Sequence, residues 1–130
     1  MPAYNALGYN PSITPGETYQ VWSAEQPAIG AGNASASQQV ALAGPYGVGN
    51  SGFDVHGFFS GAPGTFEIDV QVSNTDVDSQ YQTCANGNIT TVDSTNQTFH
   101  FDGTTVKALF VRLLMRARGN AVNVTANIGR

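Results

Sequence analysis

The stretch "TFEIDVQVS", residues 65–73, decides the fold class. Phe66, Ile68, Val70 and Val72 alternate with Glu67, Asp69, Gln71 and Ser73. A period of two puts the apolar side chains on one face of a strand and the polar ones on the other. This is the signature of a half-buried β-strand.

The same grammar runs outward in both directions. "ETYQVWS" (17–23), "QQVAL" (38–42), "FDVHGFF" (53–59), "SQYQT" (79–83), "NITTV" (88–92) and "QTFHF" (97–101) are short runs bounded by turn-forming residues. The punctuation includes "GAPG" (61–64), "NGN" (86–88), "DSTN" (93–96) and "DGTT" (102–105), which supply turns. Then come "ALFVRLLMRAR" and "NAVNVTANI", joined at Gly119-Asn120, which reads as a tight hairpin turn. Leu, Met, Ala and Arg would also suit a helix over 106–118, but alternation and the turn that follows favour a strand. About eight or nine short strands at this spacing predict an all-β, antiparallel β-sandwich in one domain over 1–130, with a jelly roll the leading version.

The first fifty residues differ. "AIGAGNASAS" (28–37) and "GPYGVGNSG" (44–52) are rich in Gly, Ala and Ser and poor in core anchors. Residues 1–16 and 24–37 read either as long loops or as an extended arm that orders against a partner.

Only 11% of the 130 residues are charged, against about 25% in ordinary domains, so solubility rests on neutral polar groups. Four of the five Lys and Arg residues lie in 108–130, and the fifth, Lys107, directly precedes that segment. With a net charge of −4 the chain as a whole is a poor partner for nucleic acid. On the closing strand Arg112, Leu114, Arg116 and Arg118 share one face, opposite Val111, Leu113, Met115 and Ala117. A nucleic-acid groove would interleave stacking aromatics there, and only Phe110 is present. Arginine beside apolar groups suits a protein interface, so these four residues are the candidate docking surface. Cys84 is the only cysteine, which excludes an internal disulfide. The opening "MPAYNALGYN" lacks the basic and apolar regions of a secretory signal, and no apolar run is long enough to span a bilayer. These features predict a protein made in a reducing cytoplasm, with no membrane partner.

Catalytic patterns fail one by one. "EIDV" (67–70) resembles the start of the catalytic strand of laminarinase-like glycoside hydrolases, where alternating carboxylates act on one face. Here Glu67 and Asp69 are followed on that face by Gln71 and Ser73, so the proton donor is missing. Asp54 and His56 share a face of one strand, and His100 and Asp102 share a face of another. The two pairs would hold a metal if those strands met, which the sequence does not reveal. "NTDVDSQ" (74–80) lacks the glycine and distal glutamate of an EF-hand, and Phe53 breaks "GNSGF" as a nucleophile elbow. The reading is a non-enzyme with no cofactor, no metal and no catalytic residue.

"FSGAPGTFEIDVQVSNTDVDSQYQT", "ITTVDSTNQTFHF" and "KALFVRLLMRARGNAVNVTANIGR" together resemble small structural proteins of tailed bacteriophage virions. The resemblance covers residues 59–130. It implies a capsid cement or decoration protein on the phage head surface, a homo-oligomer that contacts the major capsid protein and its own copies. The alternative is a carbohydrate-binding β-sandwich of a phage tail or adsorption apparatus, suggested by Trp22, five Tyr residues and abundant Asn and Gln.

Overall fold

The structure is a computed structural model that describes residues 11–42 and 52–130. The segment 43–51 and the first ten residues, which carry part of the predicted loop or arm, lie outside the described residues. Eight strands follow in order: β1 (Thr18–Glu25), β2 (Val40–Ala41), β3 (Asp54–Phe59), β4 (Phe66–Ser73), β5 (Gln82–Ile89), β6 (Thr98–Asp102), β7 (Phe110–Arg118) and β8 (Val124–Gly129). Two single 3-10 turns, Asn33–Ser35 and Asp78–Gln80, are the only helical pieces among the described residues. The rival helix over 106–118 is therefore replaced by β7.

The strands form two four-stranded sheets with the orders β1-β8-β3-β6 and β2-β7-β4-β5. Every strand pairing is antiparallel. The pairs are nested: β1 with β8, β2 with β7, β3 with β6 and β4 with β5, alternating between the two sheets. The predicted all-β antiparallel sandwich is what the chain forms.

Alternation explains the core. From the β1 sheet, Val55, Phe59, Val124, Ala126 and Ile128 point inward, and from the β7 sheet Phe66, Ile68, Val70, Val111, Leu113 and Met115 meet them. Phe59 and Phe66 close edge to face across the layers at 4.9 Å between ring centroids. Burying each such large side chain is worth about 1.5–3 kcal/mol.

Two turn readings are corrected. Gly119-Asn120 does not close a hairpin, because β7 and β8 lie in different sheets. Residues 119–123 instead arch across the sandwich. The arch is pinned to the preceding loop: Asn120 donates its backbone N–H to the Pro63 carbonyl (2.9 Å) and its side-chain amide to the Ala62 carbonyl (2.9 Å). Period two states which way a strand faces but not which strand it pairs with, and two apolar faces can meet across a core as readily as side by side.

Likewise "NGN" (86–88) is not a turn between two strands. "SQYQT" and "NITTV" contribute to one strand, β5, with a large bulge: Asp69 pairs with Asn88 and Gln71 with Thr83. Asn86 takes a left-handed φ of 61° to make the bulge, and Gly87 packs so closely that a Cβ there would lie 2.9 Å from the Val70 carbonyl oxygen.

The Gly/Ala/Ser-rich segment lies along β7. Gly30 N–H donates to the Met115 carbonyl, Ser37 N–H donates to the Leu113 carbonyl, and Ala36 bridges Leu114. Residues 11–13 are tied to β2, with Ile13 N–H donating to the Ala41 carbonyl at 3.0 Å.

Gly57 in β3 is the tightest strand position. A Cβ there would collide with the Phe99 ring and lie 2.6 Å from the Thr125 carbonyl oxygen. Gly57→Ala is expected to lower stability by about 1–3 kcal/mol through overpacking, measured by chemical denaturation; an unchanged midpoint would contradict this packing.

Candidate functional site

The four predicted docking residues do not form an exposed face. Arg112 and Leu114 are 3% and 1% exposed. On the outer side of β7, Arg112 Nε donates to Gln71 Oε1 (2.9 Å) and Nη1 donates to Asp78 Oδ1 (2.5 Å). Its guanidinium also lies 4.2 Å from the centroid of the Tyr81 ring. Burial, aided by Asp76, raises the Tyr81 phenol far above its ordinary pKa, so the ring stays neutral beneath the cation. Leu114 is paired edge to edge with Ala36 through an isolated antiparallel bridge.

Arg116 is spent on Asp69, which is 3% exposed. Arg116 Nε donates to Asp69 Oδ2 at 2.7 Å and its Nη2 closes on the same oxygen. Asp69 also accepts from the Asn88 amide at 2.6 Å and the Thr83 hydroxyl at 3.4 Å.

Arg118 leaves the face altogether. A bulge shifts the β4–β7 register between Glu67 and Ile68, so that Ala117 pairs with Glu67 and Arg118 with the core residue Phe66. Past the bulge the alternation reverses, and Arg118 Nη1 donates to the Pro27 carbonyl at 3.0 Å. Arg130 serves similarly, with Nη1 donating to the carbonyls of Ile13 and Leu42 at 2.9 and 2.8 Å. The four arginines of the basic cluster thus each clamp one part of the chain to another. Of the docking surface expected on Arg112, Leu114, Arg116 and Arg118, the first two residues are buried, and the two outer arginines are half-exposed and hydrogen-bonded within the chain.

The carboxylate patterns are consumed as well. Glu67 and Asp69 do share a face, bridged by the Asn88 amide, but Asp69 is committed to Arg116. In the acidic loop Asp78 holds Arg112 and Asp76 accepts from the Tyr81 hydroxyl at 3.0 Å. Cys84 is buried and its thiol is pushed up to about 11 by that burial. Trp22 is 2% exposed and belongs to the core, so it offers no stacking platform to a sugar. Tyr19 is half-buried, Tyr81 is buried, and the other three tyrosines, Tyr4, Tyr9 and Tyr46, lie outside the described residues.

The open surface is on the other sheet. Gln20, His56, Phe58, Thr98 and His100 are exposed on its outer side, with Asn127 and Thr125 half-exposed between them. Phe58 is 46% exposed. A shallow depression of about 320 Å³ is lined by His56, Phe58, Thr98, Phe99, His100 and Asn127, along with Gly57. Here the two His-carboxylate pairs meet. β3 and β6 are neighbours, His56 sits directly opposite His100 and Asp54 opposite Asp102. The imidazole rings stack at 4.3 Å between centroids, tilted by 31°. His56 Nε2 lies 3.1 Å from Asp54 Oδ2. The faces of these residues were legible in the sequence; the strand adjacency was not.

No family model, no curated protein and no solved structure matches this chain. The functional reading therefore rests on its own surfaces.

Arg116→Ala removes the counterion of a buried carboxylate that keeps its bonds from Asn88 and Thr83, and is expected to cost about 1.5–3 kcal/mol, whereas Arg118→Ala removes one bond to a carbonyl and should cost about 1 kcal/mol. Urea unfolding of both variants measures the difference, and equal losses would refute the internal-clamp account. Cys84 should resist a thiol reagent at neutral pH in the native protein and react on unfolding; rapid native labelling would contradict its burial.

Proposed function

We propose that this protein is a non-enzymatic structural subunit of a tailed-phage virion, a cement or decoration protein that binds the major capsid protein and its own copies on the head surface. The resemblance of residues 59–130 to such proteins motivates the reading. The observation that carries it is the outer side of the β1 sheet: polar side chains, mostly without formal charge apart from Asp54 and Asp102 at one end, around one exposed phenylalanine, Phe58. Non-obligate protein interfaces have this character, with charge depleted at the centre and an aromatic anchor. The nested strand order supports the finer reading of the sandwich as a jelly roll.

A cement subunit needs no chemistry. A standard interface buries about 800 Å² per partner, and linked repetition over a shell multiplies modest contacts into avidity. Because the arginines are engaged internally, attachment through this face depends little on salt, unlike attachment through a basic patch.

Quantitative protein analysis of purified particles from the phage that encodes the chain tests the proposal. It should be present in heads in fixed proportion to the major capsid protein, and Phe58→Glu should reduce that occupancy without moving the unfolding midpoint. Absence from heads would refute the cement reading. Full occupancy by Phe58→Glu would refute this face as the contact.

A further inference from the structure

We propose that Asp54, His56 and His100 form a binding site for a divalent transition-metal ion of the Zn²⁺ class. One donor atom from each residue lies within 4.8 Å of the others. Donors around a tetrahedral Zn²⁺, each about 2.0–2.1 Å from the ion, stand about 3.4 Å apart. His56 and His100 are exposed and Asp54 is partly exposed, so side-chain rotation supplies that closure with the strands fixed.

Three further features belong to the site. His56 and His100 are held side by side by the β3–β6 register, so the sheet sets the spacing of the two imidazoles before any ion arrives. Opposite Asp54 on β8 stands Gly129, where a Cβ would lie 2.8 Å from Asp54 Oδ1; the missing side chain leaves the space that the carboxylate occupies. Asp102, across from Asp54, accepts from the Thr104 N–H at 2.9 Å.

Two imidazoles and one carboxylate select Zn²⁺, Ni²⁺, Co²⁺ or Cu²⁺ over the oxygen-seeking Ca²⁺ and Mg²⁺. With three protein donors on an outward face, the remaining position is open to water or to a donor from outside the chain. The site does not depend on the virion reading, because it is complete within one chain.

Titration of the untagged full chain with ZnCl₂, followed by calorimetry, tests the proposal. One ion per chain is expected, with His56→Ala and His100→Ala each weakening binding at least about tenfold. Both rings are exposed, so these variants should keep the native unfolding midpoint in the absence of metal. Zn²⁺ should raise that midpoint for the native sequence and not for the variants. Absence of binding, undiminished binding by both variants, or equal affinity for Ca²⁺ would overturn the site.

Discussion

Burial of both faces of β7 is the constraint on which the rest of the molecule depends. Val111, Leu113 and Met115 fill the sandwich on one side, while Arg112 and Leu114 are covered on the other. A guanidinium can be buried only with partners that replace water. Gln71 from β4, Asp78 from the 3-10 turn and Tyr81 at the entrance to β5 provide them. The position of the 74–81 loop, the entry of β5 and the course of residues 30–37 all follow from satisfying and covering this one strand. Four residues further on, the half-exposed Arg116 pairs with the buried Asp69.

The same constraint divides the molecule by function. The β7 sheet spends its charged groups on itself, and its outer side is part of the stabilising structure. The β1 sheet shows a polar outer side that includes the histidine pair and Phe58. The contact face and the metal site proposed above both fall on the face that the charge distribution in the sequence did not point to.

What the sequence made legible was orientation. The alternation through Phe66–Val72 correctly places Phe66, Ile68 and Val70 in the core, but the opposite face of that strand, with Asp69 and Gln71, is buried as well rather than half-buried against solvent. Alternation does separate core from surface for Val55 against His56 and for Phe99 and Phe101 against His100. What it concealed was adjacency and local register. The Gly119-Asn120 arch follows the same alternation on both sides that a hairpin would. The bulge opposite Glu67–Ile68 moves Arg118 off the face shared by Arg112 and Arg116, and no residue type announces it. The "NGN" signal was real as a left-handed position but marked a bulge within β5 rather than its end. Burial of Arg112 was beyond reach because its partners lie 34 and 41 residues away in sequence.

Covalent labelling of the native protein with an arginine-directed dicarbonyl and a histidine-directed acylating reagent, read by mass spectrometry, tests this division most directly. The account predicts that His56 and His100 react at rates close to those in the unfolded chain while Arg112 stays unmodified. Native labelling of Arg112 at its unfolded rate, with the histidines protected, would contradict it.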